Sequence, residues 1–219
     1  RVRAAGRGGA GRGCGEREGP RGRVITSEEV ADAISSVTYM AARADVEPGA
    51  IALCGSSLGG GVAVQAAGMD TRVAAVIVEN GVANGERMMR GMHTEQSWRK
   101  FRALLDEIAR EPAGASRRMI HRFDMFEMQK TLQVNLRSND SLMHFTADTA
   151  LGFFAFRPEE FAAAIAPRPL LILHSTRDSV TQYEEAFSLV RHAKTPVELH
   201  LLDGTDHFMF VNADPRVAI

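Results

Sequence analysis

Residues 50–61, Ala-Ile-Ala-Leu-Cys-Gly-Ser-Ser-Leu-Gly-Gly-Gly, carry the tightest structural constraint in this sequence. A short apolar run stops at Gly55-Ser56-Ser57-Leu58-Gly59 and gives way to small residues at helical spacing. That order predicts a strand, a sharp turn and a helix, with one serine lifted above the sheet edge where the helix begins. Gly55 and Gly59 flank Ser57 at minus two and plus two, where a side chain is expected to collide with the neighbouring strand or helix. The same positions around Ser56 hold Cys54 and Leu58, so Ser57 is the favoured hydroxyl. A helix starting near Leu58 would set backbone N–H groups and the positive end of its dipole beside that oxygen. The pentapeptide recurs by chance in many chains, so its surroundings must carry any chemical reading.

The 219 residues suit one domain, or one domain with an inserted cap. A net charge of −1 gives no global reason to expect a nucleic-acid or membrane partner. The charge is unevenly placed, however: residues 1–23 hold seven Arg, two Glu and eight Gly. Such a tract reads as a disordered segment or loop, or as an arginine–glycine arm for RNA, though it lacks interleaved aromatics. Cys14 and Cys54 make no disulfide framework, and Cys54 is expected on a buried strand. No run approaches the ~20 apolar residues of a spanning helix, and no secretory signal is seen, so the chain is placed in the cytoplasm. It starts at Arg1 without Met, and residues upstream are expected.

Apolar spacing at Val30, Ile34, Val37 and Ala41 predicts a helix over 27–44, opened by a Thr26/Glu29 capping box. Residues 51–54 and 73–78 read as buried parallel strands, with a helix between them that runs through Ala67 and is ended by Gly68. Residues 82–162 change character and are expected to form a helical cap inserted into an α/β core of 24–81 and 163–219. Its helices are placed at 95–110, 115–135, 139–152 and 158–165. The segment is rich in Met and Phe, which either line an apolar acyl pocket or simply pack the cap helices. Strands follow at 170–173 and at 197–202, the latter with the polar alternation of a sheet edge. A helix is read over 184–192.

Three polar residues each lie just past a predicted strand, in the order Ser57, Asp178, His207. A serine hydroxyl is a weak nucleophile until a base takes its proton. His207 suits that base, and Asp178 suits the group that orients the imidazole. Asp203 and Asp206 are rival acids but lie too close to His207 in sequence. His174 is read as shaping its loop. The set His200, Asp203, Asp206 and His207 fits no standard zinc spacing.

With these residues in hand the chain resembles the α/β-hydrolases over about residues 11–215. The likeness is to the serine esterases, dienelactone-hydrolase-like and prolyl-peptidase-like hydrolases with a helical insert. It rests on Gly55–Gly59, on Pro167-Arg168-Pro169-Leu170-Leu171-Ile172-Leu173-His174 with Asp178, and on Gly204-Thr205-Asp206-His207-Phe208. Gly11–Glu16 with Glu18-Gly19 is similar to a loop of that family. The resemblance implies a mostly parallel sheet covered by helices and a Ser57–Asp178–His207 triad. It also implies an oxyanion donor in the Leu58 N–H and cleavage of carboxylic esters through an acyl-enzyme, with no cofactor and no metal. The partner implied is a small, hydrophobic acyl substrate, with a homo-oligomer possible. Thioesterase, peptidase and carbon–carbon hydrolase activities remain open, as does a non-catalytic binding protein on the same fold. The family's second oxyanion donor and first strands are not found, which suggests an N-terminally truncated hydrolase with strand 51–54 left as an edge.

Overall fold

A computed structural model describes residues 22–138 and 141–207. The expectations for residues 1–21, including the arginine–glycine tract and the family-like loop, lie outside the described residues. Helix α1 covers Thr26–Ala41, strand β1 Ala52–Ser56, helix α2 Leu58–Met69 and strand β2 Ala75–Glu79. Then come α3 (Gly85–Met92), α4 (Glu95–Arg110), α5 (Pro112–Ala115), β3 (Met119–His121), α6 (Arg122–Met125), α7 (Lys130–Ser138), β4 (His144–Thr146) and α8 (Ala147–Ala155). A 3-10 helix at Pro158–Ala164 leads to β5 (Leu170–Ser175), α9 (Glu184–His192) and β6 (Val197–Leu202). No described helix is long and apolar enough to cross a membrane.

The chain forms two compact units. The described part of the first is residues 30–84 and 157–207; that of the second is 22–29, 85–138 and 141–156. The first holds a four-stranded, wholly parallel sheet in the order β1-β2-β5-β6. Parallel strands need long crossovers, and α2 supplies the one between β1 and β2. Val64 and Ala67 of α2, Val76 and Val78 of β2, and Leu170 and Ile172 of β5 belong to one buried core with Val37, Ile165 and Leu189. At ~25 cal/mol per Å² of apolar surface, that burial is what holds the strands together. Arg168 reinforces the packing by donating to the carbonyls of Asp70, Val73 and Ala67, at 3.0, 2.8 and 2.8 Å.

One strand expectation, the burial of Cys54, changes here. Strand β1 lies at one end of the sheet order among the described residues, and Ala52, Cys54 and Ser56 are exposed. Cys54 is therefore not a buried small hydrophobe but an exposed thiol. A strand paired on one side only has less of its surface covered, whatever its sequence. At the other end β6 shows the expected alternation, with Glu198 and His200 exposed.

The glycines also sort differently from the sequence reading. Helix α2 runs past Gly68 to Met69, so Gly68 is no helix stop. A Cβ at Gly68 would lie 2.6 Å from the Phe161 carbonyl oxygen, so glycine there permits close packing of the 3-10 helix. The Thr26 hydroxyl donates to the Gly152 carbonyl at 3.2 Å, and the Glu29 N–H reaches Ile25 O, so the first turn of α1 is anchored differently from the expected capping box.

In the second unit α4 has the expected bounds, with Thr94 accepting from the Ser97 N–H as its cap. Phe101, Leu105 and Ile108 are its buried stripe. The helices expected at 115–135 and 139–152 are broken up. Met119–His121 and His144–Thr146 pair as antiparallel strands, with Ile120 opposite Phe145. Aromatic and β-branched residues gain more there from cross-strand packing than from helical propensity. Most of the Met and Phe side chains, Met89, Met125 and Phe145 among them, are buried, while Met119 is exposed. Phe126 meets Phe145 and Phe153 edge to face, with centroids 6.4 and 5.4 Å apart.

Candidate active site

All the chemistry-bearing residues of the sequence reading fall in the first unit, at the carboxyl ends of its parallel strands. Ser57 follows β1 directly and precedes the first residue of α2. Its backbone has φ +55° and ψ −122°, a conformation that L-residues rarely adopt. Besides the Gly60 and Gly61 N–H groups of α2, which reach its carbonyl, two backbone bonds from the 79–82 segment hold it there. The Ser57 N–H donates to the Glu79 carbonyl at 2.9 Å, and the Val82 N–H donates to the Ser57 carbonyl at 3.2 Å. Gly55 is what lets the turn close, since a Cβ there would stand 2.1 Å from the Gly59 carbonyl oxygen. Gly59 has no such role. Beyond its own stretch of α2, nothing among the described residues lies within 4 Å of its Cβ position, which corrects the expected steric symmetry of the pair. One residue on, about 100° around the helix, Gly60 would meet the Gly81 Cα at 2.9 Å.

Asp178 lies in the loop after β5, its side chain fully buried. One carboxylate oxygen, Oδ1, accepts from the Val180 and Thr181 N–H groups at 2.8 and 2.7 Å, which aims the other face at His207. His207 Nδ1 lies 2.9 and 2.7 Å from the two carboxylate oxygens. Its Nε2 lies 3.0 Å from Ser57 Oγ. A carboxylate can only accept, so Nδ1 carries the proton and Nε2 is left to accept from the serine hydroxyl. The three residues thus form one hydrogen-bonded chain.

The other polar residues of the reading are engaged in shaping loops. Asp206 accepts from the Ser179 N–H and hydroxyl, both at 2.9 Å, and from the His207 N–H at 2.7 Å, so it ties the loop of Asp178 to that of His207. Asp203 accepts from the Thr176 hydroxyl at 2.9 Å. His174 is fully buried with Nε2 2.8 Å from the Thr181 carbonyl, and burial lowers its pKa, so it acts as a neutral brace for the 174–181 loop. No group of three or more His, Cys, Asp or Glu among the described residues could hold a metal ion.

Two residues next to Ser57 escaped the sequence reading. Glu79, the last residue of β2, is pushed up to about 7 by burial, with His207 opposing the shift and the Asp178 charge adding to it. The signal for it was only a carboxylate at the end of an apolar strand. Asn80 is fully buried at φ +46°. Its signal was the Asn-Gly pair after that strand, since Asn tolerates the left-handed region.

Glu79 has a measurable consequence. Unfolded, it ionises near 4.5; folded, only near 7. Between those values the folded state binds more protons, so stability falls as pH rises through this window and the deficit is complete above it. Glu79→Gln is expected to leave stability unchanged below pH 4 and to raise it by about 1 kcal/mol at pH 8, after allowance for partial solvent screening. Urea denaturation at both pH values checks this; an equal effect at both would contradict it.

The fold and this arrangement can be set beside known proteins. The profile of the family described as "Serine aminopeptidase, S33" matches residues 10–214. The chain belongs to this family of α/β-hydrolases. A curated relative from Escherichia coli, an uncharacterized 31.7 kDa protein of the traX-finO intergenic region, is 26% identical over 183 residues. The match takes in 81% of this chain and 64% of that protein, so the chain spans about two thirds or less of the curated relatives it matches. Among solved structures, the α/β hydrolase GrgF of Penicillium sp. sh18 superposes with a TM-score of 0.73 at 19% identity, covering 90% of this chain and 69% of that one. A monoacylglycerol lipase of Paleococcus ferrophilus gives 0.63 at 18% identity, covering 86% and 69%. At such identities the likeness is one of fold, and the S33 chain described here shares the α/β-hydrolase architecture with both.

Proposed function

We propose that this chain carries the nucleophile, base and acid of a serine hydrolase that cleaves carboxylic esters. The observation that supports it most is the unbroken hydrogen-bonded chain from Asp178 through His207 to Ser57. In this reading Ser57 Oγ attacks the ester carbonyl while His207 Nε2 takes its proton. Negative charge gathers on the carbonyl oxygen, where the Leu58 N–H, first of α2 and without an intrahelical acceptor, donates to it. His207 then protonates the departing alkoxide, leaving an acyl group on Ser57. Water attacks that ester with His207 again as base, and the acid leaves. Asp178 holds the imidazole in the tautomer this requires and stabilises it once charged. No second oxyanion donor is assigned among the described residues. A hydrophobic acyl group is part of the same reading, from the Met and Phe content of residues 82–162 alone.

A second reading, hydrolysis of a peptide amide through the same residues, is favoured by the description of the matching family. Incubation with a fluorophosphonate, followed by mass mapping, tests the shared step: an adduct on Ser57 is expected, and its absence would overturn both readings. Comparison of p-nitrophenyl esters of increasing acyl length with aminoacyl amides then separates them.

A further inference from the structure

Asn80 follows β2 directly, and its side chain is engaged at both ends. Its Nδ2 donates to the backbone carbonyl of His207 at 2.9 Å, and its Oδ1 accepts from the Ser175 N–H at 2.8 Å. Its own N–H donates to the Leu173 carbonyl at 2.9 Å. The residue is fully buried, so neither end can exchange its partner for solvent water. At φ +46° it occupies a conformation that Asn tolerates better than most side chains.

The neighbouring residues give these bonds their significance. Glu79 and Val82, on either side of Asn80, each make a backbone bond to Ser57. One short segment, 79–82, therefore grips Ser57 by its backbone and His207 by a side chain. The Ser175 hydroxyl donates to the Thr205 carbonyl, and the Thr205 hydroxyl donates to Ser175 Oγ at 2.9 Å, so the loop before His207 is tied to the same strand end that Asn80 holds.

We propose that Asn80 is a positioning residue: its amide fixes the backbone of His207 relative to the Ser57 turn and so keeps His207 Nε2 within hydrogen-bonding distance of Ser57 Oγ. It touches no reacting atom. The catalytic part of this inference rests on the proposed roles of Ser57 and His207; the positional part does not.

Asn80→Gly removes the amide while accommodating the positive φ. The full chain and this variant are compared by thermal unfolding, by kcat and KM on a p-nitrophenyl ester, by the rate of fluorophosphonate labelling at Ser57, and by the NMR resonance of the His207 Nδ1–H. A misplaced imidazole is expected to lower kcat and the labelling rate together by about 10- to 100-fold, with KM within about twofold. The Nδ1–H resonance, visible in the parent, should shift or broaden. A folded variant with parental kcat, labelling and resonance would overturn the inference, and so would a drop in melting temperature alone. If Ser57 fails to label even in the parent chain, the hydrolase reading falls, and the resonance still decides the positional claim: its persistence in the variant, or its absence from the parent, refutes it. Should Asn80→Gly not fold, Asn80→Asp, which keeps the shape and the acceptor for Ser175, carries the same measurements at pH 8.

Discussion

Ser57→Ala is expected to abolish ester turnover, lowering kcat by about 10⁵- to 10⁶-fold while KM stays within a few-fold. The hydroxyl is the group that forms the acyl bond in the proposed route, and a methyl cannot replace it. What remains is the ~10³-fold advantage that binding and oxyanion stabilisation give to attack by water. The substitution should leave the fold intact. The backbone bonds from Ser57 to Glu79 and Val82 involve main-chain atoms only, and the lost side-chain partner, His207 Nε2, accepts at most one bond. His207→Ala should cost about as much, and the double variant little more than either, because the groups act as one unit. Steady-state rates for the three variants, with loss of the fluorophosphonate adduct, check this. Additive losses would mean that the 3.0 Å contact between the two side chains is not used in the reaction.

Gly55→Ala is expected to damage folding severely. The added methyl carbon would lie 2.1 Å from the Gly59 carbonyl oxygen, 2.4 Å from its carbon and 2.8 Å from the Gly60 nitrogen. All three are backbone atoms of α2, so relief requires moving the helix away from β1. Overpacking that a side chain can relieve costs ~1–3 kcal/mol, and a backbone collision should exceed that, leaving little folded protein. Gly59→Ala supplies the contrast. Beyond its own stretch of helix its Cβ meets no described atom within 4 Å, and Gly to Ala in a helix gains ~0.5–1 kcal/mol, so that variant should melt higher. Circular-dichroism melts of the two decide the matter; equal destabilisation would refute the geometry of the turn.

The linear order of residues was enough to single out Ser57, Asp178 and His207, which the fold brings into hydrogen-bonding distance, because each lies just beyond a predicted strand. It was also enough to place α4, whose buried stripe of Phe101, Leu105 and Ile108 repeats over about two turns. The short elements of residues 112–146 were not legible. A three-residue strand such as Met119–His121 has no period to read, and only its pairing with His144–Thr146 distinguishes it from a helix turn.

The sequence by itself determined the strand–turn–helix around Ser57 and the chain order of the three polar residues. These depend on local steric limits and on hydrophobic spacing, which neighbours in the chain express. Only the tertiary structure decided that Gly55 and Gly60 are sterically required and Gly59 is not, that Cys54 is exposed, and that Asn80 joins Ser57's turn to His207 across 127 positions of sequence. Those outcomes follow from which backbone passes within 3 Å of which, and contacts between residues far apart in the chain leave no periodic trace in it.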